Sequence, residues 1–409
     1  MVKSAGFVNR WVVPFLTALS DNIYMSAIRT GMVSVVPLTI IGGLFMVFSY
    51  LPVPGWEQKV EKYLPLLQVP VTATFGLLAV FVCFAIGYDL GKRFKQEAIT
   101  SGMLATVVFL LIQVDLKEQT LTMAGLGSQG LFTAILVALF SVRVQKFMLD
   151  HGAVIKMPAS VPEAVQESFL SLTPMIVLVL FFWTIRFVLG VDINAVVQGA
   201  FKPLVYGLDT LPGILLYAFL VTMLWSVGIN GDNTMDAIVL PVFTQYLAAN
   251  VAAMQAGTAL PHVTANGFFT TFANVGGTGA TIALALVLVN SRDPGYRKVS
   301  RLSLPTQVFQ INEPIFYGMP IVLNPIFMVP YVLSALALTA GSYLLMDWGI
   351  LQKPFVNVPW TTPPIIGHYL VSGGDWKAAV WGACSILIAM GIYWPFARAA
   401  ERQRLAAAD

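Results

Sequence analysis

Between Leu302 and Met346 the chain carries a single Asp, Glu, Lys or Arg, and that residue is Glu313. So long a stretch with one charge does not make a water-facing surface. It belongs in a core or a bilayer, where a charged side chain is costly unless it is paired or hydrated. The rest of the chain shares the bias: of 409 residues, 57% are hydrophobic and 11% charged, against about 25% charged in soluble domains. Too few charges remain to cover a soluble exterior, so the chain reads as an all-α, polytopic membrane protein. A dispersed net charge of +3 argues against a nucleic-acid partner. Cys83 and Cys384 lie in apolar runs without CxxC spacing and read as buried thiols. His151, His262 and His368 are far apart, so no metal motif and no cofactor are expected.

Spanning segments are expected near residues 31–52, 71–89, 99–114, 129–142, 171–190, 212–229, 277–290, 320–346 and 377–396, which sets the count at eight to ten. Several are shorter than the roughly 20 residues that cross the hydrocarbon, and others are cut by Pro or Gly. Basic clusters at Lys3/Arg10, Lys92/Arg93/Lys95, Arg143/Lys146/Lys156, Arg292/Arg297/Lys298/Arg301 and Arg398/Arg402/Arg404 alternate with loops of little net charge. The Lys/Arg bias puts these clusters in the cytoplasm, the N-terminus among them. Residues 1–16 read as a retained cytosolic lead-in without a clear cleavage site, and 398–409 as a cytosolic tail.

The two halves differ in texture. Residues 1–200 are mostly simple apolar spans with basic cytosolic turns. Residues 212–370 are interrupted by "GINGDNTMD", "ANGFFTTFANVGGTGATIAL", "INEPIFYGMP" and "VPWTTPPIIGHYLVSGGD". Irregular backbone survives at membrane depth where protein buries it or where it lines a watery cavity, and such broken elements build the solute sites of transporters. Within 262–290, Gly276, Gly277 and Gly279 permit a tight reversal. No GKS or GKT follows, so this is not a phosphate loop, although its N–H groups are open to an anion or hydroxyl. Glu313, beside Asn312, reads as a carboxylate that accepts hydrogen bonds from solute hydroxyls. The plainer alternative is a structural anchor paired with Arg29 or Arg186. Asn230 can donate and accept, Asp232 is equally a helix cap, and Trp225 and Trp360 are either stacking surfaces for a sugar ring or lipid-interface anchors. Polar groups with one carboxylate favour a neutral polyhydroxylated solute.

The strings "VPEAVQESFLSLTPMI", "LWSVGINGDN", "FQINEPIFYGMPIVLNPIFMVP" and "VPWTTPPIIGHYLVSGGDWKAAV" resemble the membrane-embedded EIIC component of the bacterial phosphoenolpyruvate:sugar phosphotransferase system, in its lactose/cellobiose (chitobiose) branch. The resemblance covers almost the whole chain. It implies a homodimer of ten-helix protomers in the bacterial plasma membrane, among membrane lipids, with a disaccharide held between re-entrant hairpins. It also implies a scaffold from residues 1–210 and a transport region from 211–397. A separate cytosolic EIIB phosphocysteine protein, supplied by EIIA, would phosphorylate the sugar. Glu313 matches the family glutamate that binds the hydroxyl to be phosphorylated, and Trp225 and Trp360 match sugar-contacting tryptophans. Where family members usually read Gly-Ile-His-Gly, this chain has Asn230, which cannot titrate near neutral pH as histidine does. An uncoupled sugar facilitator or sensor and a proton-coupled sugar transporter remain as alternative readings.

Overall fold

Helices begin where a polar cap precedes an apolar run. Asn22 Oδ1 accepts from the Tyr24 N–H at 2.9 Å, Asp192 from Ala195 at 3.1 Å and Asn324 from Ile326 at 3.1 Å, each satisfying an N–H the helix cannot. In a computed structural model the described residues are 22–49, 55–116, 118, 120–155, 157–158, 163–319, 321–322 and 324–406. The N-terminal lead-in lies outside them.

The longer helices are α1 (Ile23–Ser34), α2 (Val36–Ser49), α3 (Leu64–Thr74), α4 (Leu78–Arg93), α5 (Ala98–Ile112), α6 (Leu131–Asp150), α7 (Glu163–Trp183) and α8 (Ile193–Leu208). They continue as α9 (Leu211–Ser226), α10 (Gly231–Gln255), α11 (Ile282–Leu288), α12 (Pro294–Gln307), α13 (Glu313–Gly318), α14 (Pro325–Asp347), α15 (Pro364–Val371) and α16 (Trp376–Ala406). One two-stranded hairpin pairs Val114–Asp115 with Thr120–Leu121.

Among the described residues, seven helical stretches are long and apolar enough to cross a membrane, and α8 with α9, bent by 81°, makes an eighth if counted as one span. The resemblance implies ten. The shortfall has a geometric reason: α5 has 15 residues, about 22 Å at 1.5 Å per residue, against a hydrocarbon core of about 30 Å. The interrupted second half resolves into short helices, with α11, α13 and α15 of 7, 6 and 8 residues, separated by turns.

Close packing sets the frame. A Cβ at Gly87 would lie 3.0 Å from Ala105, and one at Gly91 would lie 2.6 Å from Ser101, so α4 and α5 approach through small residues as membrane helices do. Helix α14 packs against α9 and α16. The halves are stitched by Arg29, whose Nη1 donates to the Asn233 carbonyl at 3.2 Å, and by Asn357, whose Nδ2 donates to Thr39 Oγ1 at 2.7 Å.

The basic clusters meet in pairs. Lys146 lies over the Phe94 ring, joining the second and third clusters. Arg404 pairs with Asp293 at 3.1 Å, and Glu401 accepts from Ser291 Oγ at 2.6 Å and from Arg398 at 2.7 Å, joining the last two. Residues 398–406 are therefore not a loose tail but the last turns of α16, fastened to the turn before α12. The outer loops gather separately. Asp209 Oδ2 lies 2.8 Å from His262 Nδ1, and Lys353 Nζ donates to the Leu260 carbonyl at 2.9 Å.

Single cysteines in a Cys83→Ala/Cys384→Ala background should report this orientation in intact cells. Arg297→Cys should react with a membrane-impermeant maleimide only after permeabilisation, whereas Trp348→Cys should react before it. The reverse pattern would invert the topology.

Candidate functional site

The turn between Asn274 and Thr281 is built from backbone conformations that L side chains rarely adopt. Gly276, Gly277 and Gly279 have φ of 75°, 103° and 78°, and each is also too crowded for a Cβ. A Cβ at Gly276 would sit 2.2 Å from Ile282, at Gly277 2.5 Å from Asn312 and at Gly279 2.2 Å from Tyr331. Both steric reasons require glycine. The preceding stretch, Phe268–Ala273, is π-helical, a form frequent at functional sites.

The sequence left the glycine N–H groups open to an anion or hydroxyl, but those of Gly276 and Gly277 are taken. They are held within the protein: Gln310 Oε1 accepts from Gly276 N at 2.6 Å and from Gly277 N at 3.0 Å. Gln310 is buried and itself has a left-handed φ of 65°, a strained state for a non-glycine residue that must be held by its surroundings. Two residues on, Asn312 Nδ2 donates to the Thr278 carbonyl at 2.9 Å. The segment preceding Glu313 is thus bonded twice to the glycine turn.

A second junction fixes the same turn from the other side. Asp232 Oδ2 accepts from Thr278 Oγ1 at 2.7 Å and from Trp225 Nε1 at 2.8 Å. Asp232 lies in the first turn of α10, where the helix dipole favours a carboxylate. Asn230 is the cap of that helix, its Oδ1 accepting from Asn233 N at 2.9 Å, so it sets where Asp232 stands. Glu313 heads α13 with its side chain exposed, between buried Asn312 and buried Ile315, and within electrostatic reach of Asp232.

The sequence-derived residues are therefore brought together unequally. Asn312, Glu313, Trp225 and Asn230 converge through Asp232 and Thr278. Trp225 is 5% exposed, its N–H committed to Asp232 and its ring edge-on to Phe316 at 5.1 Å. Trp360 is 60% exposed in the turn before α15, and the described contacts do not join it to this network. Arg29 bonds the Asn233 carbonyl rather than Glu313, and Glu313 has no ion-pair partner among the described residues. Gln310 and Thr278 went unremarked in the sequence, although a polar Gln310 in a stretch so poor in charge was a legible signal. No group of three His, Cys, Asp or Glu side chains suited to a metal gathers among the described residues. The arrangement offers one accessible carboxylate beside a hydrogen-bonded polar turn, a group able to accept hydrogen bonds.

The family model described as "Phosphotransferase system, EIIC" matches residues 29–335. The chain is 34% identical to the putative permease IIC component YwbA of Bacillus subtilis, over 96% of this chain and 94% of that protein. It is 33% identical to the PTS system cellobiose-specific EIIC component of Geobacillus stearothermophilus, covering 97% and 94% respectively. The crystal structure of ChbC, the IIC component of an N,N'-diacetylchitobiose-specific phosphotransferase system, superposes with a TM-score of 0.92 at 33% identity, over 98% of this chain and 99% of that one.

Replacing Gln310 by Leu should orphan two buried N–H groups, each costing about 1–3 kcal/mol. A lowered unfolding midpoint in detergent, with weakened binding of labelled disaccharide, is the expected result. An unchanged midpoint would show the turn to be held by other contacts.

Proposed function

Because this chain belongs to the phosphotransferase system EIIC family, we infer that it is a multi-pass permease for a disaccharide of the cellobiose, chitobiose or lactose type. Transport across the bacterial membrane is coupled to phosphorylation by an EIIB partner. That EIIB is a separate protein bearing a phosphocysteine, itself charged by EIIA, and the permease works as a homodimer with residues 1–210 as scaffold and 211–397 as the moving transport region.

The observation that carries the site assignment is the contrast at Glu313: an exposed carboxylate whose preceding residues are buried and bonded. A buried anchor would be paired, and this one is not. Glu313 accepts a hydrogen bond from a sugar hydroxyl and takes its proton as that oxygen attacks phosphorus. The new O–P bond forms as the S–P bond of the phosphocysteine breaks and the thiolate leaves. Asn312 holds the register of Glu313, and Asn230 retains its Nδ2 as a donor to the sugar while its Oδ1 caps α10. Trp225 shapes the wall through Asp232, and exposed Trp360 supplies a face on which a pyranose ring can lie. A phosphate beside Glu313 and Asp232 is repelled, which favours product release inward and makes uptake directional.

Proteoliposomes supplied with EIIB, its phosphodonor chain and radiolabelled cellobiose, chitobiose or lactose test this reading. Glu313→Gln should lower sugar-phosphate formation at least about 100-fold, the scale of general-base catalysis, while sugar binding changes far less. Accumulation of unmodified sugar by the wild-type protein, driven by a proton gradient without phosphodonor, would replace the reading with proton-coupled transport.

A further inference from the structure

A cavity of about 260 Å³ opens away from this site, among the turn after α4, the first turn of α5, the end of α6 and α7. Lys95, Gln96, Glu97, Gln145, Lys146 and Asp150 line it, the Glu97 carboxylate being taken up by the Ile99 and Thr100 N–H groups at the start of α5. Two basic clusters of cytoplasmic type meet here, so it lies where the inner leaflet's headgroups begin.

Three features of these residues are unexplained by folding. Gln145 is 2% exposed, yet its Oε1 has no hydrogen-bond partner among the described residues, and the buried Nε2 of Gln96 has none either. Unpaired buried amide atoms are costly, and a polar group that enters the cavity would satisfy these two. Lys95 takes a left-handed φ of 58° at the end of α4, the position where glycine usually closes a helix. Its exposed ammonium forms no ion pair among the described residues. Lys146 is bonded to Asp150 at 3.1 Å, so the cavity presents both charge signs.

Beyond the cavity runs an apolar path. Ile99 and Met103 on α5, and Leu172 and Ile176 on α7, are exposed, and these two helices pack together. A free sugar phosphate would leave this path bare. An anionic lipid without an amine could offer a hydroxyl to the Gln145 carbonyl but would bring no cation to the carboxylates of the cavity.

We propose that the cavity binds the headgroup of an amine-bearing phospholipid of the cytoplasmic leaflet. The phosphate lies beside Lys95 and the Gln96 amide N–H, and the ammonium beside Asp150 and the Gln145 carbonyl. The acyl chains follow the exposed side chains of α5 and α7.

Native mass spectrometry of the delipidated full-length protein, titrated with phosphatidylethanolamine and with phosphatidylglycerol, tests this. The ethanolamine lipid should bind at least tenfold more tightly, and Gln145→Leu should reduce that preference at least fivefold. Lys95→Gly, which relieves the left-handed residue and so does not endanger the turn, should also weaken ethanolamine-lipid binding and keeps the test decisive if Gln145→Leu fails to fold. Equal affinity for both lipids, or unchanged binding in Lys95→Gly, would overturn the proposal. Soluble phosphoethanolamine binding as tightly as the intact lipid would overturn the lipid assignment in favour of a soluble phosphate ester.

Discussion

The hydrogen bonds from the Gly276 and Gly277 N–H groups to the Gln310 amide oxygen are the constraint on which the site rests. A glycine turn at membrane depth has backbone donors that water cannot serve freely, and unsatisfied they would cost too much to persist. One glutamine side chain answers two of them. Because that glutamine lies three residues before Glu313, satisfying the turn also places the carboxylate. Asn312 repeats the device with the Thr278 carbonyl, and Asp232 closes it from α10 through the Thr278 hydroxyl and the Trp225 indole. Gln310, Asn312, Asp232, Thr278 and Trp225 are thus held through one connected set of hydrogen bonds, and Glu313 is left accessible beside it.

Asn230 has a clear structural role at the position where the family resemblance implies a histidine. Asparagine is among the strongest helix N-caps, and here it begins α10 two residues before Asp232. Its side chain brings no titratable ring to the site, and its cap sets the placement of the Asp232 junction.

Features with a local signature were legible in the sequence. The isolation of Glu313 in an apolar stretch marked a carboxylate that stands exposed beside the turn, the three glycines marked the reversal, and four of the Lys/Arg clusters marked regions that meet in space. The partners of those features were not legible. Gln310 finds Gly276 thirty-four residues away, and Asp209 finds His262 across fifty-three. Such pairings leave no periodicity, because they depend on how helices fold back upon one another. The partners of residues 398–406 were hidden for the same reason: nothing in the sequence joins Glu401 to Ser291 or Arg404 to Asp293.

Hydrogen–deuterium exchange of the peptide covering residues 274–281 probes the central interaction directly. In the wild-type protein exchange at Gly276 and Gly277 should be slow, becoming at least tenfold faster in Gln310→Ala, with no change in Glu313→Gln, which leaves the acceptor in place. Equal protection in wild type and Gln310→Ala would show that the glutamine does not hold the turn, and the account of how Glu313 is positioned would fail.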